Sequence, residues 1–208
     1  MTTSTNNIPA IVEIGRTEAR DTLRQRWSNY FVLIYAAVCL IIAINLRDSI
    51  LNATVRYSDV ATGIRANYPA NWLVDDDGDY VFQVRDASRV GFKTAIIVDV
   101  QPLGLATTTR NLLDALSLDR AQTLSGYRTL EIDETYILPD GSTGTAMLYT
   151  YVNAEVNPVL QTFPTIVEGL DVIAVRQEQA IIVTFLADAR TFDEERPIFE
   201  RFLNALEF

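Results

Sequence analysis

The 208-residue chain contains no histidine, one cysteine (Cys39) and one lysine (Lys93). Each shortage closes a class of chemistry. Without an imidazole, neither a Ser-His-Asp nor a Cys-His nucleophile can be assembled. A His/Cys zinc site and a Cys-ligated iron–sulfur cluster cannot form within one chain, and covalent haem attachment lacks its CxxCH. One cysteine also excludes an internal disulfide. We therefore expect no catalytic residue of these kinds and no cofactor. Basic residues are scarce too: 17 Lys and Arg face 27 Asp and Glu, for a net charge of −10. Nucleic-acid binding needs a clustered basic surface, so no nucleic-acid partner is expected.

What the chain does have is one long apolar run. Tyr30 to Leu46 reads YFVLIYAAVCLIIAINL, free of formal charge and containing one amide, Asn45. Trp27 to Asn29 extend it to residues 27–46, matching the roughly 20 residues that cross a hydrocarbon core of about 30 Å. Arg24 and Arg26 close one end, Arg47 and Asp48 the other, and Trp27 and Tyr30 suit the interfacial aromatic belt. A core helix is disfavoured by an uninterrupted stretch with no polar face and with charges abruptly at both ends. A cleavable signal is disfavoured by Glu13, Glu18 and Asp21 upstream and by the lack of a small-x-small site downstream. The spacing predicts an uncleaved transmembrane helix, with the lipid bilayer as a partner.

Orientation follows from the flanking arginines. Arg16, Arg20, Arg24 and Arg26 precede the run, against Arg47 and Arg56 after it. This places residues 1–26 in the cytoplasm and the body outside the inner membrane, as a single-pass periplasmic domain. Charge agrees, because residues 55–208 carry 12 basic and 23 acidic side chains and an acidic body avoids an anionic inner leaflet. Ile11 to Arg26 reads as a short helix.

Residues 47–62 read as a juxtamembrane linker with a short strand near Val55–Tyr57, and 63–208 as the outer domain. Strands are predicted at Ile64–Tyr68, Trp72–Val74, Tyr80–Arg85 and Thr94–Gln101, the last strongly β-branched and ended by Pro102. Leu112, Leu113, Leu116 and Leu124 recur at helical spacing behind Thr108 or Thr109 as cap, with Gly126 closing the helix. Tyr127–Tyr136 and Thr145–Val152 form a hairpin turned by Pro139-Asp140-Gly141. After a loop at Asn153–Pro164, Ile166–Arg176 and Ala180–Ala187 make a second pair. Thr191 and Glu194 match a capping box for a last helix whose Ile198, Phe199, Phe202, Leu203 and Leu206 form one apolar face. The order is that of an α+β domain, an antiparallel sheet sandwiched by helices.

Several of these features together resemble the PsbP-like family, which includes an extrinsic protein of photosystem II, bacterial relatives and more distant Ran-binding proteins. They are Tyr68-Pro69-Ala70-Asn71-Trp72, the helix before Tyr127-Arg128-Thr129-Leu130, the turn at Asp140-Gly141, and the terminal helix ending in Leu206-Glu207-Phe208. The resemblance spans about residues 62–208. It implies a non-catalytic accessory or scaffolding role beside other transmembrane and peripheral subunits, in an electron-transfer assembly of the alternative complex III or photosynthetic reaction-centre type. The alternative is a free-standing, membrane-anchored ligand-binding protein. This chain departs from the extrinsic photosystem protein in carrying its own membrane helix and no histidine, so no site residue is carried over.

Three local features invite chemistry. Asp75, Asp76, Asp77 and Asp79 beside Gly78 supply the metal-ligand candidates Asp75, Asp77 and Asp79. The loop lacks the length and terminal Glu of an EF-hand and reads as a solvated β-turn. Glu131, Asp133 and Glu134 could pose as an acid–base pair, but alternation puts Glu131 and Asp133 opposite Leu130 and Ile132, as on an ordinary exposed strand face. Tyr149 and Tyr151 share a face and suit either a contact patch or the core. Tyr68 and Trp72 read as core and rim packing.

Overall fold

The computed structural model describes residues 23–89, 91–104, 108–154, 163–176 and 178–208. The expected helix at Ile11–Arg26 lies mostly outside them. The chain divides into two units, Met1–Ile50 and Leu51–Phe208.

The described part of the first unit belongs to helix α1, Leu23–Leu51. Within it Tyr30–Ile50 is long and apolar enough to cross a membrane. Its described side chains are exposed throughout, and the one amide donates from Asn45 Nδ2 to the Ile41 carbonyl at 2.8 Å. That bond satisfies a donor that hydrocarbon could not. The helix runs past Arg47 and Asp48, where the apolar run was expected to end. Charge stops burial in lipid, not helical backbone geometry.

The second unit opens with a two-stranded ribbon, β1 (Thr54–Ser58) against β2 (Arg65–Pro69). The stretch 47–62, expected as a linker, is thus shared between the end of α1 and β1. Next come β3 (Leu73–Asp75), β4 (Phe82–Arg85), β5 (Ala95–Pro102), helix α2 (Thr109–Thr123), β6 (Arg128–Ile137), β7 (Thr143–Asn153), β8 (Thr165–Arg176), β9 (Gln179–Asp188) and helix α3 (Phe192–Asn204). Strands β3 to β9 make one antiparallel sheet in the order β3-β4-β5-β9-β8-β7-β6. The ribbon and α3 pack on one face and α2 on the other. The α+β class follows directly.

Local chemistry explains most boundaries. Thr108 is the α2 cap, its Oγ1 accepting from the Asn111 N–H at 3.2 Å. The β6–β7 turn closes with the Gly141 N–H on the Leu138 carbonyl at 2.9 Å, and Gly141 takes φ +80°, a value open to glycine at no cost. The capping box at Thr191 and Glu194 is not made: Thr191 offers no side-chain cap bond. The acidic side chain that turns inward is the next one along, Glu195, which is 3% exposed.

The two cores differ in content. On the α3 face, Phe185 stacks on Phe199 with centroids 5.0 Å apart, and Tyr57 of the ribbon stacks on Phe82 at 4.1 Å. Tyr68 and Trp72 are buried there. On the α2 face, Leu112 and Leu113 meet Met147, Tyr149, Tyr151 and Ile173. Both tyrosines are therefore core, which settles the choice left open by their spacing.

Candidate functional site

Of the two acidic residues in β8, Glu168 and Asp171, Asp171 is fully buried and lies on the α2 face. The register puts it beside Thr184 of β9 and Met147 of β7. Thr184 Oγ1 donates to Asp171 Oδ1 at 2.8 Å. From the last turn of α2, Arg120 reaches down and grips both carboxylate oxygens, Nη2 at 2.9 Å from Oδ1 and Nη1 on Oδ2. Its guanidinium also lies 4.4 Å from the centroid of the Tyr149 ring. Two-pronged pairing and ring contact together satisfy a charge that would otherwise be costly to bury. Burial holds the Tyr149 phenol far above its ordinary ionisation range, and the nearby Arg120 only partly opposes this. Tyr149 is a neutral wall of the core, and the cluster is a pin that fastens α2 to the sheet.

A second buried acid fastens α3. Glu195 accepts from Thr94 Oγ1 and pairs with Arg89, whose Nη2 lies 2.8 Å from Oε1. Arg89 in turn reaches Asp86 at 3.6 Å, and Asp86 accepts from Ser88 Oγ at 2.6 Å. The first turn of α3 is thereby tied to the segment between β4 and β5. Neither cluster was visible in the sequence. The only signal was Asp171, a carboxylate amid LDVIAV; Glu195 sits in the charged run Asp193-Glu194-Glu195-Arg196 and nothing local marks it.

The aspartate-rich turn is engaged locally. Asp75 pairs with Arg85 at 3.3 Å across β3–β4, and its Oδ1 accepts from the Asp77 N–H at 3.1 Å. Among the described residues no three His, Cys, Asp or Glu side chains gather closely enough to hold a metal. The structure thus places Asp75, Asp77 and Asp79 in a turn held by side-chain and backbone bonds of its own.

Strand β6 is the last in the sheet and stands apart from both pins. Bulges shift its register between Thr129 and Glu131 and between Asp133 and Tyr136. Leu130 and Ile132, expected on a buried face, are 46% and 36% exposed. An edge strand has neighbours on one side only, and the first bulge leaves Leu130 without a partner across the ladder. Asp133 accepts from the Thr135 N–H and Oγ1 at 2.9 and 3.1 Å, while Glu134 pairs with Arg110 of α2. On the other strand face, Glu131, Asp133 and Tyr136 border a hollow of about 140 Å³ floored by Ala146, Leu148 and Leu170 and closed by Arg196. The sequence pattern put Glu131 and Asp133 on one face, and so they are. Farther along the same face, burial raises the Glu168 carboxyl above its ordinary range, with the Asp193 charge adding to the effect. The arrangement offers carboxylates above an apolar floor, beside a backbone edge that no other strand pairs among the described residues. That combination suits the aliphatic stem and cationic head of a basic side chain.

No protein-family model matches the chain, and no curated protein matches it in sequence. Among solved structures, cyanobacterial PsbP from Synechocystis sp. PCC 6803 superposes with a TM-score of 0.49 at 14% identity, covering 74% of this chain and 92% of that one. The Ran-binding protein Mog1p of Saccharomyces cerevisiae gives 0.46 at 8% identity, covering 74% and 95%. A Pseudomonas aeruginosa protein of unknown function gives 0.46 at 9% identity, covering 76% and 98%. No residue role is transferred from any of them.

Proposed function

We propose that the chain is a membrane-anchored, non-catalytic accessory subunit of a bacterial membrane complex, whose outer domain docks a partner along β6. The supporting observation is how the domain distributes its charge. Its buried acids Asp86, Asp171 and Glu195 are each held by an arginine and serve the fold. The exposed acids Glu131 and Asp133 instead flank exposed Leu130 and Ile132 on a sheet edge. Carboxylates over an apolar floor on one face of an edge strand, with exposed apolar side chains on the other, describe a contact surface for a basic partner.

In this reading Tyr30–Ile50 stays in the bilayer uncleaved, the N-terminus lies in the cytoplasm, and the acidic domain lies outside. The finer assignment, an electron-transfer assembly of the alternative complex III or reaction-centre type, rests on the sequence resemblance carried by Tyr68-Pro69-Ala70-Asn71-Trp72 and the terminal helix. The chain's contribution there is to hold peripheral subunits and to steer a basic carrier by its field. The hollow beneath β6 measures about 140 Å³, below the roughly 300 to 1,000 Å³ of sites that enclose a drug-sized ligand, so this edge suits protein contact better than ligand capture.

The test is a charge reversal on β6. Full-length chain carrying Glu131→Lys and Asp133→Lys is expected to stay in the membrane fraction and to lose the subunits that co-purify with the unaltered chain. Retention of those subunits by the reversed chain contradicts docking at this edge.

A further inference from the structure

The β1–β2 ribbon inverts the charge of the domain it belongs to. Alternation sends Tyr57, Ala66 and Tyr68 toward the core and leaves Thr54, Arg56, Arg65 and Asn67 exposed. Arg56 and Arg65 both reach Glu207 Oε2, at 3.1 and 3.9 Å, and their side chains remain 59% and 57% exposed. Arg201 of α3 donates to Asn52 Oδ1 at 2.8 Å. With Asn52, Thr54 and Asn67, Arg201 borders a hollow of about 250 Å³ that has Ile198 and Phe202 among its apolar walls. Asp59, at the far end of β1, is occupied by its own turn, accepting from the Thr62 N–H and Oγ1. Two guanidiniums therefore share one carboxylate and a third is held by an amide oxygen, in a domain where residues 55–208 carry 12 basic and 23 acidic side chains.

Chain length adds a second constraint. The apolar span ends at Ile50 and β1 starts at Thr54, so covalent reach alone keeps Thr54 within about 14 Å of Ile50. The ribbon that opens at Thr54 is thus the first element of the domain to follow the span in the chain.

We propose that the exposed face of the β1–β2 ribbon, with Arg201 and the hollow beside it, is a docking surface for the phosphate groups of an anionic bilayer. This rests on the reading of Tyr30–Ile50 as a retained membrane anchor. Guanidiniums pair with phosphate oxygens through two parallel N–H bonds, and juxtamembrane basic groups are drawn to anionic leaflets. The apolar walls at Ile198 and Phe202 accommodate the glycerol end of a headgroup. The acidic remainder of the domain is repelled by the same leaflet, so one electrostatic pattern holds the ribbon down and keeps β6 free for its partner.

The experiment uses the full chain in nanodiscs of phosphatidylcholine alone or with about 30% phosphatidylglycerol. Arginine modification by phenylglyoxal is followed residue by residue by mass spectrometry. Arg190, whose side chain is 83% exposed, is the internal control. Arg56, Arg65 and Arg201 are expected to react at least about threefold more slowly in the anionic discs, with Arg190 unchanged and the protection lost in high salt. Equal rates in the two kinds of disc, with the chain loaded in both, overturn the docking surface alone. A chain that stays out of both discs overturns the anchor and the docking surface together. The same protection produced by millimolar inorganic phosphate in neutral discs overturns the bilayer as the source.

Discussion

The two faces of the seven-stranded sheet are closed by different physics. On the α3 face, Phe82, Phe185, Phe192, Phe199 and Phe202 pack among aliphatic side chains, and α3 contributes five buried residues, Glu195 included. On the α2 face, the helix buries only Leu112 and Leu113 and relies on Arg120 gripping Asp171 over the Tyr149 ring. One helix is held mostly by apolar area, the other by less area plus a charge pair whose geometry must be right. Apolar packing is tolerant of exchange at constant volume. A buried pair is intolerant of losing one partner yet can be replaced whole.

That contrast can be broken by substitution. Phe199→Ala is expected to cost about 3–5 kcal/mol in denaturant unfolding, whereas Phe199→Leu, which refills much of the space, costs clearly less. Asp171→Ala is expected to cost about 3–5 kcal/mol because it strands Arg120. Here the rescue differs in kind: the double change Arg120→Met with Asp171→Leu recovers most of the loss, and no single change does. If the double variant is as unstable as the single one, the pin is not the pairing described.

Smaller changes sharpen the same comparison. Gly169 lies opposite Tyr149 across β7–β8, and a Cβ there would fall well inside contact distance of the Tyr149 ring. Gly169→Ala is expected to cost about 1–3 kcal/mol, with the loss carried by the α2 face. Thr108→Ala removes the α2 cap and is expected to cost about 1 kcal/mol, read as earlier hydrogen exchange in the first turn of α2.

The smallest effect is on pH dependence. Hydrogen bonds from Arg190 hold the Asp188 carboxyl below its ordinary 3.8, and bonds from Ser142 do the same for Asp140. A depressed carboxylate stabilises the fold above its unfolded value, and that contribution disappears as pH falls through the folded one. Glu168 is raised by burial, so it has the opposite sign and favours the fold as it becomes protonated. Melting temperature should therefore drop as pH falls below about 3.8. Asp188→Asn should flatten that drop, and Glu168→Gln should remove the gain in stability that Glu168 brings as pH falls toward its ordinary 4.5.

Much of this fold was legible because its strands are chemically loud. Thr94–Gln101, Ile166–Arg176 and Ala180–Ala187 are β-branched runs bounded by turn residues, and they appear as β5, β8 and β9. Helix α2 was equally clear, with its cap narrowed to Thr108 or Thr109. Local pattern failed where the answer depended on who sits alongside. Leu130 and Ile132 alternate as core residues do, but position in the sheet made β6 an edge and left them exposed. Thr191 and Glu194 have capping-box spacing, but Glu195, with Thr94 and Arg89 waiting for it, is the carboxylate that folds in. Arg120 and Asp171 are 51 residues apart, and no spacing rule joins them before the sheet register is known. The acidic pair on β6 was legible as a shared face, while the apolar floor beneath it belongs to β7 and β8 and was not.

The proposed accessory role requires the chain to be one part of a larger membrane assembly. Native mass spectrometry after extraction in mild detergent tests this most directly. It should find the chain in a complex with cofactor-bearing subunits, at a mass well above that of a single copy. A lone monomer released by the same extraction would contradict it.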